Sequence, residues 1–179
     1  MKKVKILKKK TLIKLDRSVL VECHLRVGKQ TLIRQSIEHP GCVVIVPQLG
    51  PNQFLLVNQY RYAARDWIWE FPAGGIEKGE SMAVAAKREL MEECGYAPGR
   101  LKKIVSFFPT PGISEEKMHV FWAQNLKLAY AEKDPDEEFE VKAFSLKQIG
   151  KMILQGKIVD GKTLIGYFFM KERGDRSNF

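Results

Sequence analysis

Two runs rich in Val, Leu and Ile, from Val19 to Val27 and from Thr31 to Ile37, are separated only by Gly28, Lys29 and Gln30. Apolar, β-branched runs around a short glycine turn predict a β-hairpin. Cys42 to Pro47 reads CVVIVP, and after the turn residues Gly50, Pro51 and Asn52 a second apolar run extends from Phe54 to Arg61. Runs that lack alternation are expected of strands covered on both faces. From Ser81 to Cys94 the period changes. Ala83, Ala86, Leu90 and Cys94 recur at spacings of three and four, which predicts a helix with one apolar stripe, and Gly95 is placed to end it. Further strands are predicted at Lys103 to Phe108, Met118 to Asn125 and Phe139 to Phe144, each bounded by turn residues. Ser145 with Gln148 three residues on forms a capping-box pattern for a helix ending at Gly156, and a last helix is predicted from Thr163 to Lys171. Strands on both sides of an internal helix, with helices closing the chain, indicate an α/β fold in which a mixed sheet is sandwiched by helices.

With 179 residues, 45% of them hydrophobic, the chain can bury one good core. No apolar run approaches the roughly 20 residues of a membrane-spanning helix, and no apolar stretch of a signal peptide follows the N-terminal lysines. The expectation is a cytoplasmic protein without a membrane partner. Cys23, Cys42 and Cys94 are widely spaced and lack a CxxC pairing, so they read as small buried apolar residues rather than a disulfide framework or a zinc site. The formal charge of +9 favours anionic partners. Much of it comes from Lys2, Lys3, Lys5, Lys8, Lys9 and Lys10, which read as a solvated, partly frayed terminus.

The predicted helix carries an unfavourable feature. Glu89, Glu92 and Glu93 lie three and four residues apart, on one side and near the C-terminal end. Each like-charge pair at this spacing costs a few tenths of a kcal/mol, and the negative end of the helix dipole adds a similar penalty. Arg88 relieves part of this, but hard divalent cations prefer clustered oxygen ligands, so the glutamates by themselves read either as a magnesium or manganese site or as a solvated acidic helix face.

The glutamates belong to a longer pattern. Gly74 is followed after five residues by Glu80, then by Arg88, Glu89, Leu90, Glu92, Glu93, Gly95 and Tyr96. This resembles the Nudix box. Seven required identities at average usage would coincide by chance in about one window in a hundred million. One position departs slightly, since Tyr96 stands where the family usually has an aliphatic residue. The resemblance implies a loop, helix, loop structure within an α/β/α sandwich. It makes Glu89, Glu93 and Glu92 the metal ligands, points the carbonyl of Ala73 at a metal, gives Glu80 a supporting role and has Arg88 orient the glutamates. The cofactor it implies is Mg2+, with Mn2+ as the alternative.

The stretches QYRYAA at residues 59 to 64, WEFPAGGIEKGES at 69 to 81 and PTPGISEEKMHVFWA at 109 to 123 are similar to bacterial ADP-ribose pyrophosphatases. Pro111 stands where that branch has a proline some fifteen positions past the box. The implied substrate is a nucleoside diphosphate sugar, with Arg61 on the diphosphate or terminal ribose, Glu70 on a sugar hydroxyl and Pro111 in the binding loop. The residues alone also allow Arg61 a surface salt bridge with Asp66 or Glu70. The general base falls among Glu115, Glu116, Asp134, Asp136, Glu137 and Glu138, and the resemblance favours Glu137 or Glu138. It also implies a homodimer formed through N-terminal β-strands, with residues 1–37 as that segment and 38–179 as the hydrolase domain. Trp67, Trp69 and Phe107 serve either to stack a base or to pack. ADP-ribose hydrolysis is the leading reading. A GDP-mannose or broad sugar-nucleotide hydrolase is the close alternative. A triphosphate sanitiser or a catalytically silent RNA-binding protein is disfavoured, because the box glutamates are intact and the PAGGIEKGE context points elsewhere.

Overall fold

The computed structural model describes residues 3–130 and 140–176. Three strands, β1 (Val4–Lys14), β2 (Val19–Val27) and β3 (Gln30–Glu38), form an antiparallel sheet in the order β1-β2-β3. The predicted hairpin is β2 and β3, turning at Gly28 with φ +63°. From Val4 onward the lysine-rich start is not frayed. Val4 to Lys14 pairs with β2 through register shifts that bulge the strand. Its lysines are compatible with a strand because this is an edge, where charged side chains can stay in water while the backbone pairs.

The second sheet contains β4 (Cys42–Gly50), β5 (Gln53–Arg61), β8 (Tyr96–Phe107), β9 (Met118–Leu128) and β10 (Glu140–Phe144), in the order β10-β5-β4-β9-β8. Two short strands that the pattern did not reveal, β6 (Asp66–Glu70) and β7 (Ala73–Gly75), pair with β5 and β4. β4 runs parallel to β9 and antiparallel to its other partners, so the sheet is mixed.

Helices cover both faces. Val43 and Ile45 of β4, with Leu55 and Val57 of β5, pack on Ala85, Ala86, Leu90 and Cys94 of α1 (Met82–Cys94). The alternate residues Val44, Val46, Phe54 and Leu56 pack on Ile149 of α2 (Leu146–Leu154) and Met170 of α3 (Gly161–Arg176). This is why β4 shows no alternation in sequence: its side chains alternate between two apolar layers, giving the expected α/β/α sandwich. Each such side chain, fully buried, contributes on the order of 2 kcal/mol. Among the described residues no helix is long and apolar enough to cross a membrane.

Candidate active site

The site is built where α1 crosses the edge of β7. Ser81 caps the helix by accepting from the Val84 N–H, and Gly95 ends it in the left-handed conformation with φ 73°. Between these ends the buried stripe runs through Ala85, Ala86, Leu90 and Cys94, while Ala83 is exposed. The helix is rotated from the predicted phase because Glu89 and Glu93 are drawn inward, to 6% and 4% exposure. A stripe read from apolar residues alone assigns carboxylates to the solvent side. Here they form part of the packed face.

Gly74 explains how a charged side chain fits there. A Cβ at Gly74 would overlap the Glu89 carboxylate. Glu93 accepts from the Ala73 N–H at 3.2 Å, so neighbouring residues of β7 receive both carboxylates. Burial pushes the Glu89 carboxyl above the usual carboxylate range, against the pull of Arg88, while repulsion from Glu92 adds to the rise.

Arg88 is the hub. Its Nε and Nη2 donate to the two oxygens of Glu80, each at 3.1 Å, and Nη2 also donates to the Gly75 carbonyl at 3.0 Å. Nη1 donates to Glu89 at 2.7 Å and to Glu92 at 2.9 Å. All five N–H groups of the guanidinium are thereby used. Burial opposes its charge, but Glu80, Glu89 and Glu92 outweigh that and raise its pKa. The bidentate bond to Arg88 holds Glu80 below the usual carboxylate range.

The box glutamates fit a hard cation. Glu89 and Glu93 supply buried oxygen donors, Glu92 is half-buried beside them, and the glycine cradle leaves no side chain in the way. Glu89 and Glu92 meet on Arg88, and Glu93 accepts from the Ala73 N–H.

Arg61 pairs with Glu70 at 2.6 Å, and Glu70 is 1% exposed. Its other oxygen accepts from Lys162, a buried ammonium at the start of α3 that is also 3.0 Å from Asp160. Asp160 accepts from the Thr163 N–H at 3.0 Å and hydroxyl at 2.6 Å, and that hydroxyl accepts from the Phe71 N–H at 2.8 Å. Both oxygens of Glu70 thus face cations. Sequence reasoning found Arg61 and Glu70 but missed Asp160, Lys162 and Thr163, which lie about ninety positions away and match no motif. It also missed Arg17, from the turn between β1 and β2. The Arg17 guanidinium lies against Gly75 and its charge lowers the pKa of Glu89.

Pro111 is exposed in the loop between β8 and β9. Trp69 packs on Phe144 and Phe107 joins the core around α2 and α3, whereas Trp67 is half exposed and meets Tyr60, itself edge-on to Tyr62. Asp134, Asp136, Glu137 and Glu138 lie outside the described residues.

A profile of the NUDIX domain matches residues 38–165. The chain is 36% identical to an ADP-ribose pyrophosphatase of Bacillus subtilis over 143 residues, covering 78% of this chain and 77% of that protein. It is 35% identical to a methanol dehydrogenase activator of Bacillus methanolicus over 144 residues, covering 79% and 78%. A crystal structure of an ADP compounds hydrolase superposes with a TM-score of 0.86 over 99% of this chain and 97% of that one, at 21% identity, which speaks to the fold. Box, sandwich and relatives agree: the chain belongs to the Nudix family.

Proposed function

We propose that the protein is a divalent-metal-dependent pyrophosphatase that cleaves ADP-ribose, or a related nucleoside diphosphate sugar, to a nucleoside monophosphate and a sugar phosphate. The observation that carries this reading is the burial of Glu89 and Glu93 against β7, with Arg88 holding Glu80, Glu89 and Glu92 together. A relative named ADP-ribose pyrophosphatase at 36% identity supports the substrate class.

Glu89, Glu93 and Glu92, with the Ala73 carbonyl, would hold the ion, with Mg2+ first and Mn2+ second. When bound, it neutralises phosphate charge and lowers the pKa of an attacking water. Arg88 and Glu80 fix the carboxylates in orientation, as partners of metal ligands commonly do. Arg61 offers paired donors to the diphosphate or terminal ribose, and Glu70, expected on a sugar hydroxyl, instead orients that guanidinium, because its two oxygens already face Arg61 and Lys162. Pro111 shapes the loop over the substrate. Glu137 or Glu138, in the segment before β10, takes the proton from the attacking water. Residues 1–37 pair two subunits and contribute to the base pocket, while 38–179 carry the chemistry.

The test is product analysis with Mg2+ across ADP-ribose, GDP-mannose, other sugar nucleotides and nucleoside triphosphates. AMP and ribose 5-phosphate from ADP-ribose, abolished by EDTA, are expected. Equal turnover of every base would remove the adenine preference, and turnover confined to triphosphates would remove the sugar-nucleotide reading. Glu93→Gln should lower turnover by more than about 100-fold, the upper end of what loss of a ligand's supporting partner costs.

A further inference from the structure

His39, Cys42 and Glu116 come together beside the box without belonging to it. One donor atom from each lies within 4.8 Å of the other two, the only such trio among the described residues, and all three side chains are half-buried. Cys42 reads as a buried apolar residue in sequence because its partners come from the loop before β4 and the loop before β9.

The three are held in place by main-chain bonds. The Gly41 N–H donates to His39 Nδ1 at 3.1 Å, so that nitrogen is the unprotonated one and its lone pair faces Gly41, and it lies 3.9 Å from a Glu116 oxygen. The Cys42 N–H donates to the Lys117 carbonyl at 3.0 Å, fixing the thiol beside the segment that carries Glu116. The Glu116 N–H donates to Ser114 Oγ at 3.1 Å, while Ile37 bonds Ile113 and Glu115 at 2.8 Å each. Gly41, at φ +100°, permits the close approach: a Cβ there would stand 3.1 Å from the Lys117 carbonyl.

We infer that His39, Cys42 and Glu116 form a second cation site, selective for a borderline-soft ion of the zinc class and distinct from the carboxylate site on α1. Sulfur, imidazole nitrogen and carboxylate oxygen are a zinc-type donor set, whereas the box offers only oxygen. In a tetrahedral zinc site the donors stand roughly 3.2–3.8 Å apart, so a contraction of about 1 Å by side-chain rotation completes it, with the fourth position left to water. The ion would take over the Nδ1 lone pair that now accepts from Gly41. The site adjoins the box, since Cys42 is the cross-strand partner of Gly75.

The test is titration of the metal-free protein with Co2+, followed by displacement with Zn2+. A thiolate-to-cobalt charge-transfer band is expected, because an oxygen-only box cannot produce it. Cys42→Ser should abolish the band, and His39→Ala or Glu116→Gln should weaken binding at least about tenfold. Cys23→Ser, Cys94→Ser and Glu93→Gln should retain it. Circular dichroism on each variant separates loss of a ligand from loss of fold. No charge-transfer band at saturating Co2+ in the folded wild-type protein, or a band that survives Cys42→Ser, would overturn the inference.

Discussion

The Glu89 carboxylate occupies the space that a side chain at Gly74 would need. The first box glycine therefore acts as a seat for a buried acid. Gly74→Ala should displace Glu89 and cost about 1–3 kcal/mol from overpacking. Activity should fall by roughly 100-fold, since a displacement near 1 Å at a catalytic group has that effect. Gly79 offers the contrast. Its φ is +85° with open space around it, so Gly79→Ala should cost about 1–2 kcal/mol in stability and leave turnover per folded molecule unchanged. Thermal melts and kcat on both variants check this. Equal losses of activity would refute the role given to Gly74.

Arg88 cannot be exchanged for lysine at this place. Five bonds to three carboxylates and a carbonyl use the full planar fork, and an ammonium has three donors and no fixed plane. Arg88→Lys should retain the fold but lose about 10–100-fold in metal affinity and activity together. Activity measured against Mg2+ concentration checks it: excess Mg2+ should restore part of the loss.

The contrast between what was readable and what was not follows chain distance. The box residues stand within twenty-two positions on one helix and its flanking loop, so their resemblance to the Nudix box grouped Gly74, Arg88 and Glu93 in one site. β4 was readable because burial on both faces gives it an unbroken apolar run, and α1 because one buried face imposes a helical period on it. β6 and β7 were not, because strands of five and three residues are too short to show one. The lysines of β1 hid a strand whose pairing is made by backbone. The phase of α1 was missed at Ala83 because hydrophobic reasoning excludes buried glutamates. Lys162 and Arg17 reach the site only through tertiary folding, and no local pattern could announce them.

Lys162 ties α3 to the residue that holds Arg61. Glu70 is buried between two cations, and removing one leaves a buried carboxylate partly uncompensated, which typically costs about 3–5 kcal/mol. Lys162→Met should destabilise the fold by about that amount and loosen Arg61. On the sugar-nucleotide reading, KM should rise about tenfold while kcat changes less, since one charge-assisted contact is worth roughly 1.5–3 kcal/mol. Lys162→Arg, which keeps the charge, should recover part of both losses. A loss of stability with unchanged KM would confine Lys162 to a structural role.

His119 gives the fold an acid-sensitive point outside the catalytic cluster. It is 8% exposed, its Nδ1 is 2.7 Å from Ser106 Oγ, and burial, then Lys103 and Lys117, lower its pKa below 6.5. The folded protein therefore favours the neutral ring, whereas the unfolded chain takes up a proton more readily. The stability that His119 contributes is complete above the ordinary imidazole pKa and is lost as pH falls through the lower folded value. His119→Gln removes this proton uptake while retaining a polar partner for Ser106. The wild-type melting temperature should thus drop more steeply than that of the variant as pH falls from 7.5 towards about 5. Other acid-sensitive groups, such as Glu80, are shared by both proteins and cancel in the comparison. A variant whose melting temperature falls as steeply as the wild type's would show that His119 does not titrate in this range.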